Sequence, residues 1–360
     1  MIGATLARYF LARFLEQILL VFVAISALSF LIDFVETLRR ANDNPKASAG
    51  LVALLAFLRA PVASEQILPF AVLFGTMVAF INLTRRLELV VARAAGVSVW
   101  GFIVPPLAIA VLLGLASVAF YNPLAAVMKQ RADALEIEVF GKAGANSDGK
   151  VWFRQRSIDG RATVSAARLS DGGVKLEDIV VYLDDASGSL LERVEAKGAT
   201  LTPGAWRLHD ARVIRPGADV EETSVYYLAT DLTPADVLRD LSSVESVPFW
   251  DLPAFREKTE EAGLDATPYD LRYQALLARP LLLSAMVLIS AAFSLRFFRF
   301  GGVGKMAAGG VVAGFVLYVA TKMVADMGGA GLLSAPVAAW APAFVGSLLG
   351  ALALLHQEDG

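Results

Sequence analysis

Apolar residues run along this chain in six long blocks separated by polar breaks: Phe14–Phe34, Ser64–Leu83, Trp100–Tyr121, Ala275–Leu295, Val303–Ala325 and Pro336–Leu355. Each block holds roughly 20 residues, the length an α-helix needs to cross a hydrocarbon core of ~30 Å. Six transmembrane helices are therefore predicted. The first follows Arg8 and Arg13, is too long for a signal-peptide core and has no clear cleavage site behind it, so it reads as an uncleaved anchor. The second contains Pro69, which in a membrane helix marks a kink or a packing contact. Ahead of it, Pro45 can open a short helix, and Leu51–Leu58 is apolar but too short to span. That piece is expected to be re-entrant or interfacial.

Between Asn122 and Asp270 the period changes. Alternating runs occur at Val151–Phe153, Ala162–Ala166, Ile179–Leu183, Ala205–Leu208 and Ser224–Leu228. Turn-forming residues separate them: Ser157–Gly160, Asp171-Gly172-Gly173, Asp184–Gly188, Pro203-Gly204 and Pro216-Gly217. Short strands at this spacing predict an all-β, jelly-roll-like insertion. Leu124–Phe140 and Pro234–Ala262 predict helical connectors to and from the membrane. The chain divides into residues 1–121 with spans one to three, 122–270 with the β-domain, and 271–360 with spans four to six. It reads as an α-helical integral membrane protein with an inserted β-domain.

One short segment stands out between spans two and three. From Asn82 to Trp100 it is charged and helix-prone, with Leu87, Val90, Val91 and Ala94 at helical spacing and Arg86, Glu88 and Arg93 on other faces. A mere connector needs only a few polar residues. This one predicts an amphipathic helix, near 84–97, lying on a membrane surface or docked in a partner.

Composition supports the membrane reading: 56% of residues are hydrophobic and mean hydropathy is +0.58. The absence of cysteine excludes disulfides, thiolate zinc sites and thiol catalysis. His209 and His356 are too few for a multi-histidine metal site. Charge is uneven, with an acidic middle and basic flanks. With the N-terminus inside, short inner segments carry Arg8, Arg13, Arg85, Arg86, Arg93, Arg296, Arg299 and Lys305, whereas short outer ones carry only Arg39, Arg40, Lys46 and Arg59. That bias places both termini and the 84–97 helix in the cytosol and the β-domain outside. A nucleotide loop would need glycine at Arg299 and Ser or Thr at Met306, so Gly301-Gly302-Val303-Gly304-Lys305 reads as a basic turn. No acid–base or nucleophile constellation emerges, no cofactor is expected, and nothing points to nucleic acid.

Three groups of charges are candidates for function. Lys322 and Asp326, four apart in span five, share one helix face; they serve either a functional site or a self-satisfied pair near the outer interface. Asp33, Glu36, Arg39 and Arg40 cluster at the outer end of span one, where positive charge is normally depleted; they serve either to receive an anionic head group or as an interfacial anchor. Glu88 lies among Arg85, Arg86 and Arg93, and serves either a partner contact or internal ion pairs of small value. Gly310-x-x-x-Gly314 and Gly346-x-x-x-Gly350 suggest close helix contacts in spans five and six.

Taken together, Arg8-Tyr9 before span one, Asp33-Phe34-Val35-Glu36-Thr37-Leu38-Arg39-Arg40 at its exit, and Arg86-Leu87-Glu88-Leu89-Val90-Val91 followed by Ala95-Gly96 resemble the LptF/LptG permeases of the lipopolysaccharide exporter. The likeness covers essentially the whole chain, and the exit of span one is closer to the LptG side. It implies a bacterial inner-membrane subunit that burns no ATP itself. Its implied partners are an LptF-type permease, an LptB-type ATPase dimer and an LptC-type single-span protein, with lipopolysaccharide as cargo among membrane lipids. The resemblance further implies that Glu88 meets the ATPase in a coupling helix with Arg85, Arg86, Arg93 and Gly96. Arg39 and Arg40 would meet lipid phosphates; one further basic position of the pattern is Asp33 here, for which Lys322 could compensate. The periplasmic β-jelly roll would pass the lipid onward. The alternative is a membrane-anchored scaffold or sensor whose β-domain binds a partner.

Overall fold

The computed structural model describes residues 4–41, 48–140, 151–157, 160–170, 174–185, 189–232, 243–261, 265–298 and 303–358. The Asp171-Gly172-Gly173 turn, Lys46, Arg299, the Gly301-Gly302 part of the basic turn and the start of the Pro234–Ala262 connector lie outside these residues. The helices are α1 (Ala4–Ala41), α2 (Ala49–Arg85), α3 (Glu88–Ala94), α4 (Val99–Ala116), α5 (Asn122–Phe140), α6 (Leu252–Glu261), α7 (Thr267–Phe298), α8 (Val303–Gly329) and α9 (Ala335–Glu358). Among the described residues, six helical segments are long and apolar enough to cross a membrane; five contain a predicted span whole, and the fifth in chain order, Ala308–Gly329, covers most of Val303–Ala325. Two compact units result: Met1–Asp33, Ala60–Ala126 and Pro248–Gly360 form one; Phe34–Arg59 and Val127–Val247 form the other.

The separate helix expected at Leu51–Leu58 is not there. α2 runs unbroken for 37 residues through Pro61 and Pro69. The reason lies in packing: Leu55 and Leu58 bury against Ala132, Met128 and Leu135 of α5, and Arg59 pairs with Glu136. An apolar face covered by protein needs no membrane to hide it. Likewise α4 continues through a wide π-helical turn, Ser117–Tyr121, directly into α5. Such turns insert a residue into the helix and are often found at functional sites.

In the membrane unit, Phe10, Phe14 and Ile18 of α1 pack with Val72, Leu73, Phe80 and Leu83 of α2, Phe102 and Ile103 of α4, and Leu283, Met286 and Val287 of α7. Coverage is unequal. About half or more of the best window in spans two, three and four is buried, against 6% in span one and 11% in span five. Spans two to four are the body, and the first and fifth are its bare flanks.

The second unit carries a six-stranded antiparallel sheet in the order β1 (Val151–Ser157), β2 (Gly160–Ser170), β3 (Lys175–Asp184), β4 (Leu190–Thr202), β5 (Ala205–Ile214) and β6 (Glu221–Ala229). The expected β-domain is present. Its described strands form a meander rather than the crossing order of a full jelly roll. The sheet is folded over: pairing lapses along one row, Ala167, Asp178, Lys197, Asp210 and Ser224. Asp178 and Asp210 there have φ of 49° and 52°. Across this crease the inward positions step by three instead of two, Leu176 to Ile179, Ala196 to Ala199 and Leu208 to Ala211. One apolar face, with Phe153, Val164, Trp206 and Leu228, therefore lines both halves of the folded sheet. The edges meet where Gln155 of β1 donates to the Ala229 carbonyl and accepts from the Thr230 hydroxyl. β4 escapes period-two reading because the crease at Lys197 breaks its alternation.

Candidate functional site

The helix between spans two and three, α3, is only seven residues long and is bounded by two left-handed residues. At its exit Gly96, φ 83°, lets the Val97 amide reach back to the Ala92 carbonyl, a closure that glycine makes without strain. At its entry Leu87 has φ 61° and ψ 10°, which costs a bulky residue about 1–3 kcal/mol. The conformation is forced because only Arg86 and Leu87 join α2 to α3. Leu87 nevertheless projects outward, 60% exposed, beside Val90 and Val91 at 39% and 67%. Leu89 and Ala92 turn inward instead. Relative to the stripe read from sequence, the chain's own core thus takes a different face, and Leu87, Val90 and Val91 are left open around Glu88. Leu87→Gly is expected to melt no lower than the wild type in detergent, with a gain of up to about 1 kcal/mol. A clear drop in melting temperature would show that the leucine packs within this chain.

Glu88 is not held by the arginines next to it in sequence. Its Oε2 accepts from the Tyr9 hydroxyl of α1 at 2.9 Å, and Arg13 Nε donates to that same hydroxyl at 3.2 Å. Arg85, Arg86, Arg93 and Gly96 are exposed around it.

At the C-terminal end of α1, Glu36 gathers both arginines: Arg39 Nη2 lies 3.0 Å from Oε2 and Arg40 Nε 3.0 Å from Oε1. The two arginine side chains remain 78% and 62% exposed, so this acid orients them and leaves the trio with one net positive charge open to the surroundings. Asp33 sits a turn earlier on α1, half-buried. In α8, Lys322 and Asp326 make the expected pair at 3.2 Å, both largely exposed.

The charged centre that sequence reading missed is Glu65. It lies inside α2 with its side chain 1% exposed. Arg272 Nη2 donates to Oε2 at 2.8 Å, and Arg279 Nη1 donates to Oε1 at 2.5 Å. Asn122 Nδ2 adds a bond to Oε1 at 2.9 Å, while Asn122 Oδ1 accepts from the Phe249 amide. Asn122 follows the π turn, whose extra residue shifts the helix face by about 100°. Beside the knot, Ile18, Leu19 and Phe22 of α1, Leu68 of α2 and Phe120 of the π turn line an apolar hollow of about 370 Å³. A lone acid in a predicted span was the available signal; which cations answer it is not encoded locally.

A family model described as lipopolysaccharide export system permease LptF/LptG matches residues 8–356. The chain is 24% identical over 335 residues to the lipopolysaccharide export system permease protein LptG of Haemophilus influenzae, covering 89% of both. It is 23% identical over 321 residues to the protein of the same name from Escherichia coli K12, covering 87% of this chain and 88% of that one.

Proposed function

Because the chain belongs to the lipopolysaccharide export system permease LptF/LptG family, we propose that it is the LptG-type half of an ATP-driven exporter. In this reading it pairs with an LptF-type permease and an LptC-type protein, and a separate LptB-type ATPase dimer drives it from the cytosol. Both termini are cytosolic and the folded sheet is periplasmic.

The observation that carries the reading is the open apolar face of α3, Leu87, Val90 and Val91, set around Glu88 behind a strained entry residue. An exposed apolar patch ringed by charge on a short helix is a docking surface. The bare flanks of α1 and α8 suit a seam with a second permease. ATPase closure would move α3 and, through the body, the seam. Lipopolysaccharide would enter from the outer leaflet. Arg39 and Arg40, presented by Glu36, would grip its phosphates, since guanidinium forks bind phosphate oxygens bidentately. Lys322 and Asp326 would flank the entry. The lipid's chains would then pass to the apolar inner face of the creased sheet and onward to a periplasmic bridge. Each CH₂ withdrawn from the membrane costs roughly 0.8 kcal/mol until it is covered again, so extraction needs the motor.

The test is co-purification followed by reconstitution. Glu88→Ala is expected to insert normally but to lose at least tenfold in ATPase retention or in lipid release. Retention and release at wild-type levels would remove the coupling assignment. Failure of the wild-type chain to retain any ATPase after detergent extraction would favour the scaffold reading.

A further inference from the structure

α1 is held very differently along its length. Its inner half is clamped: Phe10 meets Phe102 edge-on at 5.8 Å, Phe14 meets Phe80 edge-on at 4.9 Å, and Gly75 lets α2 approach the Ile18 backbone. Its outer half is bare, with Leu20, Val23, Leu28, Leu31, Ile32 and Val35 all more than half exposed. At the innermost end, one polar contact joins α1 to the coupling helix. Arg13, itself paired with Glu16, donates to the Tyr9 oxygen, and the Tyr9 hydroxyl donates to Glu88. The Arg13 guanidinium also lies 5.3 Å from the Tyr9 ring centroid, which fixes the ring's place. A cation at the oxygen polarises the phenol and strengthens its donation to the carboxylate.

From this geometry we infer that Tyr9 is the positioning residue that yokes the coupling helix to the first span. Its hydroxyl ties the Glu88 carboxylate to α1 and so passes the motion of α3 to α1. The inference rests on the coupling role given to Glu88 above. Breaking the yoke leaves the docking face intact, because Leu87, Val90 and Val91 do not depend on it. ATP consumption then continues while α1, with the arginine pair at its far end, no longer follows.

The experiment uses the complete complex in proteoliposomes, loaded with purified lipopolysaccharide, and measures ATP hydrolysis and lipid released to a soluble acceptor. Tyr9→Phe keeps the ring and its packing and deletes only the hydroxyl. Its expected result is wild-type assembly, melting and ATP turnover, with lipid released per ATP down about fivefold or more. In a Glu88→Ala background Tyr9→Phe is expected to add nothing. An unchanged lipid-to-ATP ratio in Tyr9→Phe overturns the inference while leaving the Glu88 assignment standing if Glu88→Ala still fails. A parallel fall in melting and assembly overturns it too, since the hydroxyl would then be merely structural. Normal export by Glu88→Ala removes both.

Discussion

Glu65→Ala is expected to cost the detergent-solubilised protein about 3–5 kcal/mol, read as a large fall in melting temperature and yield. The substitution removes the anion shared by two guanidinium groups whose side chains are only 17% and 11% exposed. Their mutual repulsion and lost hydration then have no compensation, and Asn122 loses an acceptor as well. Glu65→Gln keeps the shape and one carbonyl acceptor and is expected to fall in between. Arg279→Met added to Glu65→Ala should restore part of the loss, because residues in one network are not additive. The exposed Arg212–Glu222 pair of the sheet provides the contrast: at 62% and 70% exposure it contributes about 0–1 kcal/mol, so Glu222→Ala should be nearly silent. Wild-type melting of Glu65→Ala would show that the knot does not hold spans two, three and four together.

The second large effect concerns two glycines outside the two Gly-x-x-x-Gly motifs. A Cβ on Gly75 would stand 2.4 Å from the Ile18 Cα, and one on Gly114 would stand 2.5 Å from the Pro280 Cα. Both obstacles are backbone, so no rotamer relieves them and the helices themselves must part. Gly75→Ala and Gly114→Ala are each expected to cost about 1–3 kcal/mol or more, after any gain in helix propensity. In the motif read from sequence, a Cβ on Gly310 or Gly314 meets the flexible ends of Met77 and Leu73, at 1.9 and 2.1 Å. Those side chains can swing aside, so the same change there is expected to cost less. Thermal melts of the four single variants test the ranking, and equal losses at all four would refute it.

Much of the architecture is legible in the residue pattern. Each apolar block of about 20 residues became a spanning helix because hydrocarbon thickness sets a length that composition alone reveals. Turn residues at Pro203-Gly204 and Pro216-Gly217 fell between strands, with both glycines at positive φ, because turn chemistry is local. The arginine pair stands out as positive charge where it is normally depleted, and the 84–97 segment as a charged, helix-prone break between apolar blocks. Leu51–Leu58 reads as a separate re-entrant piece and is instead part of α2, because its apolar face looks the same whether lipid or α5 covers it. Lys322 and Asp326 drew notice as a pair within one helix, whereas the more deeply buried charge, Glu65, has partners 207 and 214 residues away.

The order of residues is enough to say which segments leave water, where most strands alternate, where turns fall, and which family motifs recur. Those properties follow from each residue's own transfer energy and backbone preference, summed over a short window. Tertiary structure alone decided that Glu65 answers Arg272 and Arg279, that Tyr9 holds Glu88, that Gly75 and Gly114 are the tight crossings, and that the sheet folds along Asp178 and Asp210. Each of these is a meeting of distant segments, set by how whole helices and strands pack, and no local pattern carries that information.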